Sequence, residues 1–203
     1  MTTHARAPSR PLTDWPVAAL QARIIGMLIT ISGLPGSGKT TVARLVSQRL
    51  GLRHVYAGDL FRREAERRGI TLEAFARLAE DDHEIDRKLD EAMLSVARGG
   101  GVVLEGRLAG FMAHREGLQA LKVRLEAGEG VRAERIAKRE CSQVGEVLAR
   151  MQAREQSDAR RYRDIYGFDY YDRELYDLVI ETDGITPDEA AAPITARAAA
   201  GRR

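Results

Sequence analysis

Residues 31–41 read ISGLPGSGKTT. Gly33, Gly38, Lys39 and Thr40 fit the pattern G-x-x-x-x-G-K-[ST]. The flanks decide what that pattern is worth. An apolar run, Leu28–Ser32, leads into the loop, and helical spacing from Thr41 to Leu50 leads out of it, stopped by Gly51. A buried strand followed by a glycine loop and a helix start is the context in which such a loop cradles phosphate. Gly33, Gly36 and Gly38 let the backbone curl so that several N–H groups point inward. The helix adds its positive N-terminal end. In that arrangement Lys39 reaches the β- and γ-phosphates of a nucleoside triphosphate, and the Thr40 hydroxyl ligates Mg²⁺. Pro35, Ser37 and Thr41 complete the nucleotide-binding stretch. A glycine turn that merely contains Lys-Thr is the bland alternative, and the strand before and helix after argue against it.

Outward from the loop, strand and helix alternate. Strands are expected at Leu28–Ser32, His54–Ala57, Val102–Glu105, Leu121–Leu125 and Leu178–Glu181. Helices are expected at 41–50, 60–68, 72–80, 85–97, 131–140 and 146–166. Thr186, Pro187 and Glu189 supply an N-cap, a proline at the first helical position and a capping-box acid for one more. The alternation implies an α/β fold on a parallel sheet. Residues 1–22 carry Pro8, Pro11 and Pro16 without periodicity and are expected to form a flexible extension to a single domain over 23–200. The alanine-rich C-terminal stretch, AAAPITARAAAGRR, is low in complexity and is expected to fray at its end.

Bulk composition narrows the classes. A chain of 203 residues suits one domain with a real core. A net charge of +2 is not that of a polycation built for non-specific nucleic-acid binding. The single cysteine, Cys141, leaves no internal disulfide, which suits a reducing cytoplasm. No apolar run approaches the ~18–20 residues of a membrane span. The chain contains no asparagine, so a guanine-reading Asn-Lys-x-Asp motif is absent, and protein-kinase signatures are missing too. A kinase acting on small molecules is the economical class.

Moving phosphate between two anions requires positioning and electrostatic clamping, with water kept out. Arginines from separate segments answer that need. AGDLFR follows the second strand and offers Asp59 and Arg62. EGRLAG follows the third; Glu105 ends an apolar run as a Mg²⁺-side carboxylate does, and Arg107 follows in a glycine-flanked loop. Sites of parallel sheets lie at these strand ends. On one helix face, Arg154, Asp158 and Arg161 stand at i, i+4 and i+7. Either they form exposed ion pairs, or they clamp an anion. Val131–Arg163 carries nine basic residues against five acidic ones, a local positive field that suits a clamp.

From about Met27 to Ala190 the sequence resembles the nucleoside monophosphate kinases, and most closely the short, archaeal-type cytidylate kinases. The resemblance rests on ITISGLPGSGKTTVAR, AGDLFR, VVLEGRLAG, RAERIAKRE, REQSDARRYRDIYG and YDLVIETDGITPDE, in family order. It implies a P-loop kinase fold: a central parallel five-stranded sheet flanked by helices, a helical acceptor-binding insertion at about 59–98, and a short lid at 131–166. It implies that ATP and CMP or dCMP are the substrates and that Mg²⁺ is required. Arg62 and Arg107 match arginines that hold the acceptor phosphate. Arg154 and Arg161 match lid arginines facing the transferring phosphates, and Asp158 matches an aspartate that contacts the acceptor sugar or orients them. Asp59 or Glu105 joins the metal through water. Arg132, Arg135 and Arg139 are lid-hinge candidates. Tyr56 and Ala57 depart from relatives that carry a serine touching the acceptor, which loosens the choice of cytosine.

The acceptor oxygen is already anionic at pH 7, so no catalytic base is needed. AMP, UMP or a small metabolite are alternative acceptors, and an arginine-rich nucleic-acid-binding module is the alternative from another class. A monomer is expected, with no membrane and no stable nucleic-acid partner. The spacing of His4, His54, His83 and His114 matches no metal site, so these are expected to be structural or exposed.

Overall fold

The computed structural model of the protein describes residues 26–201. The expected extension at 1–22 and the last two residues lie outside them. The elements in chain order are β1 (Leu28–Ser32), α1 (Lys39–Leu50), β2 (Arg53–Tyr56), α2 (Ala57–Arg67), α3 (Leu72–Asp81), α4 (His83–Arg98), β3 (Val102–Glu105), α5 (Ala109–Arg115), β4 (Leu121–Glu126), α6 (Glu129–Glu140), α7 (Val144–Tyr166), β5 (Leu178–Glu181) and α8 (Pro187–Ala200). The five strands form one parallel sheet in the order β2-β3-β1-β4-β5. Strands β1 and β3 are buried at every residue, including the polar Thr30, Ser32 and Glu105. Strand order reverses beside β1, so the crevice at the carboxyl ends of β1 and β3 is where an open α/β sheet binds its ligand.

Two apolar layers hold the sheet. On one side Ile29, Ile31, Val103, Val123 and Leu125 pack with Val42, Ala43 and Val46 of α1 and Ala191 and Ile194 of α8. On the other, Leu28, Val102 and Leu104 pack with Met93 and Ala97 of α4 and Ala109 and Ala113 of α5. The alanine-rich segment is therefore a docked helix up to Ala200 and not a loose tail. Its start is the expected capping box: Thr186 Oγ1 accepts from Glu189 N at 3.2 Å, and Glu189 Oε2 accepts from Thr186 N at 2.7 Å. No helix among the described residues is long and apolar enough to cross a membrane.

Two differences from the expected elements bear on the site. Strand β2 ends at Tyr56, so Ala57 opens α2 and Asp59 sits in that helix's first turn rather than beyond a strand. The sequence marks no element between Glu105 and Leu121; Arg107 lies in the expected turn, and directly after it the structure has helix α5, with Gly110 inside it. That glycine is not a hinge: a Cβ there would lie 2.4 Å from the Tyr176 ring, and its N–H donates to Ser32 Oγ of β1 at 2.9 Å. The missing side chain lets the helix lie against the central strand.

Candidate active site

The loop between β1 and α1 has the left-handed turns its glycines permit, with φ of 143°, 82° and 89° at Gly33, Gly36 and Gly38. Gly36 is also held by contact: a Cβ there would come within 2.7–2.9 Å of the Arg132 main chain and Cβ. Ser37 is buried, and its N–H donates to Leu34 O at 3.3 Å. Thr41 is exposed. Lys39 folds across the loop, its Nζ donating to Leu34 O at 2.7 Å. Burial pushes the Lys39 ammonium down to about 7; Glu105 counters this, while Arg107, Arg132 and Arg154 press in the same direction as burial.

Thr40 and Glu105 meet. Thr40 Oγ1 donates to Glu105 Oε1 at 2.6 Å, across the crevice between the ends of β1 and β3. Glu105 is 1% exposed. Its second oxygen, Oε2, lies 2.9 Å from His54 Nε2. His54 thus belongs to this cluster, although its sequence spacing pointed only to a structural or exposed role. The signal was strand pairing, which sets β2 beside β3 in parallel. A hydroxyl and a buried carboxylate form a hard oxygen set that fits Mg²⁺. Asp59, the other candidate, is exposed and pairs with Arg62 Nη2 at 2.7 Å.

Arg62 is exposed too; besides Asp59 it lies over the Tyr56 ring, 5.0 Å from the centroid. The same ring fills the space a side chain at Gly58 would need. Tyr56 thus takes up room beside the end of β2.

The second cluster is a chain of alternating charges. Arg107 pairs with Asp158. Asp158 Oδ1 accepts from Arg161 Nη2 at 3.1 Å, and Arg161 Nε reaches Asp86 Oδ2 of α4 at 2.6 Å. Asp86, Asp158 and Arg161 are all buried. Burial raises the Asp86 carboxyl, and Arg161 opposes the shift. The chain ties the β3 end, the long helix α7 and the helical segment between β2 and β3 together. Arg154, one turn before Asp158, reaches solvent and has no carboxylate in ion-pair range among the described residues. Arg107 beside it holds its guanidinium down to about 10. Thus Lys39, Glu105, Thr40, Arg107, Arg154, Asp158 and Arg161 lie in one electrostatic neighbourhood, and Asp59 and Arg62 form a separate exposed pair.

Of the three hinge candidates, two turn inward. Arg132 is buried, pairs with Glu155, and donates to Ala127 O at 3.1 Å and Pro35 O at 3.2 Å. Arg135 donates to Gly36 O at 3.4 Å and to Thr182 O at 2.6 Å. The buried Thr182 hydroxyl in turn lies 3.2 Å from Ser37 O. Arg139 points outward and pairs with Glu140 at 2.9 Å. Arg132 and Arg135 therefore brace the loop's carbonyls from α6. The tyrosines that a nucleic-acid module would use for stacking are largely inside, with Tyr162, Tyr170 and Tyr176 buried.

The sequence profile of the cytidylate kinase-like family matches residues 28–184. A cytidylate kinase of Methanopyrus kandleri is 49% identical over 172 residues, covering 81% of this chain and 89% of the relative. One of Pyrococcus horikoshii is 43% identical over 170 residues, covering 84% and 87%. Among solved structures, a shikimate kinase from Acinetobacter baumannii superposes with a TM-score of 0.59 at 20% identity, over 90% of this chain and 98% of that one. TT1252 from Thermus thermophilus superposes with a TM-score of 0.53 at 23% identity, over 85% and 96%. At those identities the structural matches speak to the fold alone, an α/β architecture on an all-parallel five-stranded sheet. The sequence matches speak to descent: this chain belongs to the cytidylate kinase-like family.

Proposed function

We propose that the protein is a cytidylate kinase, which transfers the γ-phosphoryl group of ATP to CMP or dCMP and yields ADP with CDP or dCDP. The observation that carries this reading is the Thr40–Glu105 contact beneath a glycine loop, beside Lys39 and the arginines whose charge reaches it, in a chain of this family. The loop from Gly33 to Thr41 binds the donor's phosphates through backbone N–H groups, and Lys39 leaves Leu34 O to meet them. Thr40 and Glu105 would hold Mg²⁺, which would supply positive charge to the phosphates there.

Arg62 and Arg107 hold the acceptor's phosphate, and Arg154 and Arg161 face the group in flight. Asp158 orients the two arginines it contacts. One acceptor oxygen forms the new bond to phosphorus as the bond to the ADP oxygen breaks, and ADP departs with the electron pair. The attacking oxygen is already ionised, so no side chain accepts a proton. The α2–α4 segment forms the acceptor's side, and α6–α7 the lid that excludes water.

The test is ADP release from Mg·ATP with CMP, dCMP, UMP, AMP, GMP and shikimate as acceptors. The reading predicts turnover with CMP and dCMP far above the rest. Preference for another monophosphate would keep the chemistry and refute the acceptor. No turnover with any of them, ATP still bound, would refute the activity.

A further inference from the structure

Glu105 is held from three elements at once. It stands on β3, accepts from Thr40 of α1 through Oε1, and meets His54 of β2 through Oε2. Strand register does not force the second contact. The sheet pairs His54 with Val103, and Tyr56 with Glu105, so the imidazole reaches two residues along the neighbouring strand to find the carboxylate. His54 is half-buried and Glu105 is 1% exposed, so water competes weakly for this bond. A carboxylate held at one oxygen still swings about its terminal torsion, whose energy wells are broad. Held at both, it presents one fixed edge.

We propose that His54 is a positioning residue for phosphoryl transfer: its Nε2–H fixes Glu105 so that Oε1 faces Thr40 and the water shell of the Mg²⁺ that accompanies the nucleotide. The inference rests on the functional reading above and adds a residue to it. The competing role is a strand histidine that only ties β2 to β3. That role predicts lower stability and no change in how metal alters nucleotide binding. Orientation of a metal-side ligand predicts the reverse, a specific loss of the metal's contribution.

The experiment measures ADP affinity by calorimetry with saturating Mg²⁺ and with EDTA, on the full chain. The variants are His54→Val, which suits a strand, His54→Phe, which keeps the ring's bulk, and His54→Gln, which keeps an N–H donor. The expected result is Mg·ADP binding about tenfold weaker in the Val and Phe variants, with metal-free ADP within about twofold of wild type and Gln recovering most of the loss. In turnover, the half-saturating Mg²⁺ concentration rises while KM for CMP holds. A wild-type ratio of Mg·ADP to ADP affinity in either donor-free variant, whatever its melting temperature, would overturn the proposal; so would Gln behaving like Val. Wild-type protein that failed to phosphorylate CMP would defeat the functional reading, and the affinity ratio would still decide the role of His54.

Discussion

The two halves of the site are built differently. On the donor side the loop's carbonyls are bonded to Arg132, Arg135 and Thr182, and its N–H groups are aimed by three glycines and a helix start. Little needs to move for a triphosphate to bind. On the arginine side three of the four cations are already spoken for, Arg107 and Arg161 by Asp158, Arg161 also by Asp86, Arg62 by Asp59, while Arg154 reaches solvent. On the proposed reading, an acceptor phosphate would replace internal carboxylates to be held. The contrast matches the chemistry. A donor cradle gains from being pre-formed, whereas arginines left bare in a buried cleft would repel one another. Self-pairing keeps them ordered until the acceptor arrives.

The largest effect should come from Lys39→Ala. Removing the one side-chain cation of the loop should lower kcat by about 10³-fold or more, with CMP binding and the melting temperature little changed. Activity near wild type would break the donor half of the comparison. Arg107→Lys should lower kcat/KM for CMP by about 100-fold, because an ammonium cannot reproduce the fork that first grips Asp158 and then phosphate. ADP affinity should hold in that variant, and a matching loss there would show that the halves are not separate.

A third effect sharpens the electrostatic part. In the ligand-free protein the Lys39 ammonium is depressed from 10.5 to about 7. Bound phosphates favour its charged form. Binding ADP at pH 8 should therefore take up close to one proton, and at pH 6 almost none. Calorimetry in two buffers of different ionisation heat reads this directly, and Lys39→Ala should abolish the uptake.

The smallest effect concerns Asp90, one turn after Asp86 on α4 and bonded to the Tyr166 hydroxyl of α7. Burial pushes the Asp90 carboxyl from 3.8 up to about 6. The native state therefore holds that proton where the unfolded chain has lost it, and stability falls as pH rises from about 4 to about 6. Asp90→Asn should remove that part of the slope and raise the melting temperature at pH 7.5 by a few °C.

What was legible in the sequence follows the same division. The donor half is local: three glycines, Lys-Thr and a strand-to-helix switch are neighbours in the chain, so their physics can be read without the fold. Glu105 and Arg107 were legible because they end a buried strand. The arginine half was legible as a positive segment but not residue by residue. Arg132 and Arg139 are two turns apart on α6; one is buried on Glu155 and Pro35, the other is exposed. Only the packing of α6 against the loop decides which. Asp86 gave no signal because an acid in a helix's first turn has a sufficient local reason to be there. His54 was missed because its partner is a carboxylate on a neighbouring strand, a relation that the side-chain packing of the folded sheet reveals and sequence spacing does not. Helix α5 gave no signal because it is only seven residues long and its Gly110 serves close packing against Tyr176, which sequence cannot distinguish from a loop glycine.

The central claim is that the donor cradle is pre-formed and the arginines exchange partners. A crystal structure with ADP and CMP bound tests it most directly. The account predicts a loop backbone from Gly33 to Thr40 within about 1 Å of its ligand-free path, with the Arg107 guanidinium moved from Asp158 onto the CMP phosphate. Arg107 still paired with Asp158 while CMP occupies its site, or a loop rebuilt around ADP, would contradict it.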